Sequence, residues 1–304
     1  MTLVVARITD KRDGQVSLMA DTKISDYLGD ESANRQVLTR PGQKVVIINN
    51  DVVVGFAGDN PEHGVREAVN ARARHCRTTD LLNHLTQYSG ESSTVSRCYL
   101  VAIRRPEPQL WRIANGRCED RTDVCQAYVG DENAYDRFRS RTQQWDSATV
   151  TDEFRFVSSM QTVVNMDDLP TVGGYVVRVS GSRVTPFRFR GDPNVVGPWL
   201  TNTAVQTTAE GIRMRFSTPA DGDPTVHTRI DIAGREPTFS ALVHVIPQSG
   251  TAWMHTHEEP WAQPIRLVAR TAAGLFSEAS EYGQHLEVPQ GVIEDLLNGT
   301  VPGL

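Results

Sequence analysis

Hydrophobic residues in the first part of the chain come in short runs that polar turns separate, which is the pattern of paired β-strands. The runs 3–8 and 15–21 flank the polar segment 10–14 and predict an antiparallel hairpin. The β-branched runs within 44–58 flank Asn49, Asn50 and Asp51 and predict a second hairpin, because asparagine-rich turns join such strands.

Beyond residue 60 the spacing of apolar residues changes to that of helices. Val65, Val69, Ala73 and Cys76 recur at steps of four, four and three, which predicts a helix that begins near Pro61. A second helix is predicted after a cap at 78–80. The remaining predicted elements of this part are strands at 99–104, 109–114 and 127–130, a turn at Asn115-Gly116, helices at 132–145 and 154–165, and a closing hairpin of 173–179 and 183–188.

The helices come in pairs between groups of strands, which predicts an α+β fold with a four-layer αββα sandwich. A doubly wound parallel sheet would need strands and helices to alternate singly. From about residue 191 the pattern changes to turn material and short runs at 212–217, 226–232, 238–245, 252–257 and 265–271. These runs predict a β-rich sandwich or barrel, followed by a short helix at 291–297.

The 304 residues are enough for two domains, and the predicted division is 1–190 and 191–304. The net charge of −6 leaves no basic stripe for nucleic acid. No window offers the roughly 20 apolar residues of a membrane span, and the charged N-terminus offers no signal-peptide core, so we expect a cytoplasmic protein. The four cysteines lack zinc-like spacing, and we expect them to be reduced thiols.

Candidate chemistry begins at Thr2. Threonine is small enough that removal of Met1 is expected, and Thr2 then carries a hydroxyl and a free α-amine on one residue. An α-amine titrates near about pH 7.7–8.0, so it can accept the proton of the hydroxyl beside it. Lys44 opens the second hairpin and Gly58 ends it, where they can assist proton loss and oxyanion binding. The alternative is a surface lysine that leads into an ordinary hairpin.

These residues resemble the proteasome β-subunit family, which includes the bacterial HslV-type peptidases. The resemblance rests on a Met-Thr start before a strand, on the sequence ADTKIS at 20–25, and on a lysine before a hairpin that ends in GFAG. By this resemblance Thr2 is the nucleophile, Asp21 the acidic partner, Lys44 the catalytic lysine and Gly58 the oxyanion glycine. The similarity covers about residues 2–185, and its first third is the most specific.

Further positions follow from the same resemblance. Asp168 and Thr171 resemble the family's aspartate-x-x-serine pair that steadies the amine, with threonine in place of serine. Asp131 stands where the family has a serine that contacts the amine, a departure that either raises the basicity of the amine or belongs to another chemistry. Ser25 and Gly58 are expected to border an extended peptide, and Phe56 falls in the first specificity pocket and should shorten it.

The resemblance implies a cofactor-independent threonine peptidase that acts on peptide or protein substrates inside a homo-oligomeric ring. The extra β-rich domain is then available to select substrates or to dock an ATP-dependent unfoldase. Two alternatives remain: a catalytically silent relative that acts as a scaffold or binding protein, and a small-molecule amidase that forms no chamber. Residues 26–40 are an insertion, either near the substrate cleft or a solvated excursion without a role.

One weaker candidate lies in the second domain. Strand alternation places His255 and His257 on one face, as in metal-binding barrels, and Glu259 is available as a third ligand. Pro260 and Trp261 interrupt the strand immediately. The alternative is a polar strand end that presents two solvated histidines.

Overall fold

The structure is a computed structural model that describes residues 2–24, 41–74, 77–92, 94–145, 150–165 and 169–190, together with shorter segments between 194 and 294. The chain divides into two compact units, residues 1–188 and 189–304. The predicted domain boundary after residue 190, and the roles assigned to the two parts, stay predictions.

The first unit contains helices and strands in the predicted order. Its elements are β1 Leu3–Asp10, β2 Gln15–Asp21, β3 Val45–Asn49, β4 Val52–Gly58, α1 Pro61–Arg74, α2 Thr78–Gly90, β5 Arg97–Ile103, β6 Gln109–Ala114, β7 Arg117–Asp120, β8 Gln126–Gly130, α3 Glu132–Gln144, α4 Asp152–Asn165, β9 Val176–Gly181 and β10 Arg188–Arg190. The mixture of α-helices and several sheets confirms the coarse prediction of fold class.

The strands form two five-stranded sheets. The first has the order β10-β9-β2-β1-β8 and the second the order β3-β4-β5-β6-β7. Both predicted hairpins are confirmed, since β1 pairs antiparallel with β2 and β3 with β4. The predicted Asn115-Gly116 turn joins β6 to β7 with φ of 52° and 70°, and these left-handed values explain why asparagine and glycine stand there.

Strand β1 is buried on both faces, and alternate residues contact different layers. Leu3 and Val5 belong to a core cluster with residues of α3 and α4, including Phe138 and Phe156. Val4 points the other way, to the second sheet, where a Cβ on Gly55 would lie 2.5 Å from its Cγ1. Glycine at position 55 therefore allows the two sheets to approach closely.

The second sheet contacts helix α1 on its other face. Phe56 follows Gly55 on β4, and a Cβ on Gly64 of α1 would lie 2.3 Å from the Phe56 ring. The hydroxyl of Tyr99 on β5 donates to the carbonyl oxygen of Gly64 at 3.2 Å. Side-chain alternation along β4 thus places the other sheet on one face and α1 on the opposite face.

The closing hairpin of this unit departs from its prediction. The second strand was predicted at 183–188, whereas β10 spans Arg188–Arg190. The backbone of the residues before β10 hydrogen-bonds to segments that are distant in sequence. Arg183 N–H donates to the Asp13 carbonyl at 2.9 Å, and Phe187 N–H donates to the Asn50 carbonyl at 3.0 Å. Tertiary hydrogen bonds hold this segment in a connection that its strand-like composition does not reveal.

The second unit is mainly strands where it is described, with one helix. Its elements are β11 Asn194–Val196, β12 Trp199–Thr208, β13 Arg213–Phe216, β14 Ser240–Ile246, β15 Thr251–His255, β16 Ile265–Val268, α5 Ala272–Glu281 and β17 His285–Leu286. The sheet has the order β16-β15-β14-β12-β13-β17, and β11 pairs with β12. The predicted strands at 212–217, 238–245 and 252–257 are thus found with small shifts, whereas β12 was not predicted.

Helix α5 corrects the predicted strand 265–271, which ends at Val268. Thr271 begins the helix, because its hydroxyl accepts the backbone N–H of Gly274 at 3.1 Å. Ala272, Leu275 and Ala279 form its buried face. The predicted strand 226–232 lies outside the described residues, as does the predicted helix 291–297 apart from Glu294.

Within the described part of the chain, we find no helix that is both long and apolar enough to cross a membrane.

Candidate functional site

A buried ion pair joins the end of β2 to the start of β3. Lys44 Nζ lies 3.1 Å from both Asp21 Oδ1 and Asp21 Oδ2, and the two side chains are 1% and 0% exposed. Lys44 Nζ also donates to the carbonyl oxygen of Lys23. An ammonium has three N–H donors, and these three acceptors match them, so the geometry suits the charged form of Lys44.

The Asp21 carboxylate is fixed by backbone groups as well. Oδ1 accepts the N–H of Leu3 at 3.0 Å. Oδ2 accepts the N–H of Lys23 at 3.1 Å and that of Gly173 at 3.3 Å. Leu3 and Gly173 are distant from Asp21 in the sequence, so these backbone groups fix the carboxylate that pairs with Lys44.

Burial lowers the pKa of Lys44 from its ordinary value of 10.5, because the charged form loses water. The Asp21 carboxylate acts in the opposite direction through its charge and hydrogen bonds, and the positive charge of Lys23 lowers the pKa further. Lys44 thus releases its proton more readily than a solvated lysine does.

Thr2 lies next to this pair. It is buried, and it directly precedes Leu3, whose N–H donates to Asp21 Oδ1 at 3.0 Å. Its carbonyl oxygen accepts the N–H of Asp131 at 2.7 Å. Gly130, with φ of 109°, lies so close that a Cβ there would be 1.8 Å from the Thr2 carbonyl oxygen. Only glycine fits this position, so the end of β8 and the start of α3 fix the backbone of Thr2.

Asp131 caps helix α3. Its Oδ1 accepts the N–H of Ala134 at 2.9 Å, and its Oδ2 accepts the hydroxyl of Thr171. The structure therefore joins Asp131 to Thr171 through its side chain and to Thr2 through its backbone N–H. The predicted contact of Asp131 with the α-amine stays a prediction.

A cavity of about 630 Å³ opens beside Thr2, within the usual range for small-ligand sites. The lining residues that bear on its chemistry are Thr2, Gly58, Asp59, Ser96, Cys98 and Gly130. Gly58 has φ of 154°, and a Cβ there would lie 2.1 Å from the Ser96 carbonyl oxygen. A glycine is therefore required at the position where an oxyanion donor was predicted.

Of the residues predicted to bind substrate, the structure describes Phe56 but not Ser25. Phe56 is buried, with its ring centroid 5.2 Å from that of Tyr99, and its side chain lies between β4 and α1 rather than among the residues that line the cavity. Its ring nevertheless approaches Gly58, whose added Cβ would lie 3.1 Å from it. Ser25 and Asp168 lie outside the described residues, and the substrate roles stay predictions.

The alternative metal site is described only in part. His255 is buried in β15, whereas His257 and Glu259 lie outside the described residues. Among the residues that are described, no group of three or more His, Cys, Asp or Glu side chains is arranged to hold a metal ion.

The residues of the site that were not predicted include Asp59, Lys23 and Cys98. Asp59 directly follows Gly58, so its place in the cavity was available from the motif. Lys23 stands two residues after Asp21, but only the structure shows its carbonyl as an acceptor for Lys44. Cys98 lines the cavity because β5 pairs with β4, which sets Cys98 opposite Ala57. No local sequence pattern indicates the register of these two strands.

The sequence matches no protein-family model and no curated protein. Among solved structures, eukaryotic HslV from Trypanosoma brucei is similar over 60% of this chain and 99% of that chain, with 14% sequence identity and a TM-score of 0.44. A likeness at this identity concerns the fold alone.

Proposed function

We propose that this protein is a threonine-type N-terminal nucleophile hydrolase that cleaves peptide or amide bonds. The observation that carries the proposal is a shared oxygen atom: Asp21 Oδ1 accepts both Lys44 Nζ at 3.1 Å and the N–H of Leu3 at 3.0 Å. Leu3 follows Thr2 directly. One buried carboxylate thus ties a desolvated lysine to the chain beside a threonine that borders a cavity.

The chemistry requires that Thr2 carry a free α-amine. The neutral amine accepts the proton of Thr2 Oγ as the oxygen attacks the carbonyl carbon of the substrate. In this scheme the backbone N–H of Gly58 stabilises the oxyanion. The protonated amine then gives its proton to the leaving nitrogen, and water hydrolyses the ester formed on Thr2.

Each remaining residue has a role in this reaction. Lys44, charged and held by Asp21, lowers the proton affinity of Thr2 Oγ. Asp131 and Thr171, which hydrogen-bond to each other, orient the amine, and Asp168 completes this group. Because Asp131 carries a charge where the resembling family has serine, it also favours the protonated amine.

The proposal extends to architecture and assembly. The first unit is a four-layer αββα sandwich of the N-terminal nucleophile type, and the chains form a closed homo-oligomeric ring in the cytoplasm with Thr2 toward an inner chamber. The second unit selects substrates or docks an ATP-dependent unfoldase. A ring restricts access to a cleft that would otherwise act on any peptide.

The test combines the mass of the N-terminus with covalent labelling. A peptide epoxyketone needs both a hydroxyl and a free amine, so it should label Thr2 once in the parent and in Thr2→Ser. Thr2→Ala should show neither labelling nor hydrolysis of a fluorogenic peptide library. The backbone hydrogen bond from Asp131 survives in both variants, which makes them a matched pair.

Two outcomes contradict the proposal. Retention of Met1, or of any residue before Thr2, converts the amine to an amide without basicity. Hydrolysis by Thr2→Ala at the parent rate would place the chemistry at another residue.

A further inference from the structure

The cavity beside Thr2 is lined by small apolar and small polar residues and by one acidic residue. Among its described lining residues, Asp59 is the only one with an ionisable carboxylate or basic side chain. Ser92, Thr94, Ser96 and Asn115 also line it, together with small apolar residues such as Ala57 and Val95. The carboxylate of Asp59 makes the cavity suited to a group with N–H donors.

Two hydrogen bonds to Ser96 fix Asp59 and leave one of its carboxylate oxygens without a described donor. Its Oδ2 accepts the N–H of Ser96 at 2.9 Å, and its own N–H donates to the Ser96 carbonyl at 2.9 Å. Its Oδ1 accepts no hydrogen bond from any described residue. This half-buried residue, which lines the cavity, therefore has a carboxylate oxygen without a described donor, and a fixed acceptor loses little entropy on binding a donor.

The charge of Asp59 affects the pKa of the Cys98 thiol, and Cys98 also lines the cavity. Burial raises the pKa of the Cys98 thiol, and the negative charge of Asp59 contributes to the same direction. Ser96 and the guanidinium of Arg112 act in the opposite direction, and Arg112 is itself paired with Glu119 at 3.2 Å. The reactivity of the Cys98 thiol can therefore be used to measure how Asp59 changes the electrostatic potential in the cavity.

We propose that this cavity is a subsite for a cationic group of the substrate, a lysine or arginine side chain or another amine, and that Asp59 Oδ1 is its acceptor. Ser92, Thr94 and Ser96 line the same cavity, but their hydroxyl groups already take part in hydrogen bonds within this segment, so Asp59 Oδ1 is the acceptor on which the proposal depends. The inference rests on the proposed function, because it assigns a specificity to the same cleft. Asp59 is a specificity residue in this scheme and takes no part in bond cleavage.

The first test measures selectivity. Peptides that differ only by Lys, Arg, Gln or Glu at single positions around the scissile bond are compared in the parent and in Asp59→Asn. Asparagine keeps the oxygen that accepts the Ser96 N–H, so the fold should persist. At one position we expect kcat/KM for Lys or Arg to exceed that for Gln by about fivefold to tenfold, as for a charge-assisted hydrogen bond, and Asp59→Asn to lose this preference.

Asp10→Asn is the matched control. Asp10 also accepts a backbone N–H, from Arg12 at 2.7 Å, but it lies at the far end of β1. This variant has the same net charge as Asp59→Asn and should keep the cationic preference. Equal loss in both variants, or a parent without preference for Lys or Arg, would overturn the inference while leaving the hydrolase proposal intact.

The second test needs no catalysis. In Thr2→Ala, the rate of Cys98 modification by a trimethylammonium-ethyl methanethiosulfonate is compared with that by the anionic sulfonatoethyl reagent, and peptide mass mapping identifies Cys98. We expect the ratio of the cationic to the anionic rate to fall several-fold in Asp59→Asn and to stay constant in Asp10→Asn. An unchanged ratio would overturn the cationic subsite. A fall in the ratio in a protein whose parent hydrolyses no peptide would preserve the subsite and reject the hydrolase.

Discussion

Lys44 is buried as completely as the apolar residues of the core, and that burial is the main physical feature of the site at the scale of single residues. A buried charge is costly unless it is paired and hydrogen-bonded. Here Asp21 and the Lys23 carbonyl satisfy the ammonium, while the loss of water still lowers the pKa of Lys44. Both effects act on the same atom: the hydrogen bonds suit the charged form of Lys44, while burial makes it lose its proton at a lower pH than a solvated lysine does.

This lowered pKa predicts a bell-shaped pH profile for kcat/KM. The rising limb reports the α-amine, which must be neutral to accept the proton of Thr2. The falling limb reports Lys44, which must be charged, and burial moves that limb to a pH below the ordinary lysine value of 10.5.

The profile can be measured with a fluorogenic peptide between pH 6 and 11, with the fold monitored by circular dichroism at each pH. Lys44→Arg is an informative comparison, because arginine stays charged over this range. If it retains measurable turnover, its falling limb should be absent. A parent rate that keeps rising through pH 10.5 would contradict the requirement for a charged Lys44.

At the scale of elements, the junction between β8 and α3 fixes Thr2. The strand ends at Gly130, which only glycine can occupy next to the Thr2 carbonyl, and the helix begins at Asp131, whose N–H donates to that carbonyl. The Asp131 side chain then caps the helix and accepts the hydroxyl of Thr171. A single turn of the chain therefore serves both helix stability and the placement of Thr2.

This double role predicts that Asp131→Ala lowers both stability and turnover. Loss of an N-cap costs about 1 kcal/mol, which urea unfolding can measure, and turnover should fall more than tenfold because the orienting carboxylate is lost. Asp131→Asn should keep most of the stability, since its amide oxygen can cap the helix, but not the turnover.

Thr271→Ala provides the matched control, because Thr271 caps α5 through the same kind of bond, to the N–H of Gly274 at 3.1 Å. We expect a similar loss of stability with unchanged turnover. If Asp131→Ala and Thr271→Ala lower turnover equally, the effect of Asp131 is on folding alone and its orienting role is wrong.

At the scale of the whole molecule, the cavity beside Thr2 gives a reason to expect that the chains assemble into an oligomer. A cleavage site open to bulk solvent would act on unfolded chains without selection, whereas a closed ring admits only segments that can enter it. Symmetric homo-oligomers are the common solution to such closure.

The full chain should therefore have a mass in solution that is a multiple of its 33.7 kDa. Light scattering coupled to size exclusion, at micromolar concentration, measures this directly. Thr2→Ala should give the same mass, because assembly does not depend on turnover. A monomer in both proteins would contradict the ring and favour an amidase of small molecules that acts without a chamber.

Local sequence patterns by themselves determine many of the turns and helices of this protein. The Asn115-Gly116 turn, the Asn49 to Asp51 turn and the helices α1 to α4 follow from backbone preferences and apolar spacing, which act over a few residues. The sequence also predicted a site around Thr2, Asp21 and Lys44, and the catalytic roles of these residues stay predictions. In the structure Asp21 hydrogen-bonds to Lys44 and to the N–H of Leu3, which follows Thr2.

Other features were decided only by the tertiary structure. The contact of Asp59 with Ser96 joins residues 37 positions apart, and the burial of Phe56 depends on Gly64 of a helix that packs over it. The shift of β10 to residue 188 follows from hydrogen bonds of its preceding segment to Asp13 and Asn50. Such contacts depend on how sheets and helices pack in space, and neither hydrophobic period nor turn composition encodes which distant backbone group will satisfy a given donor.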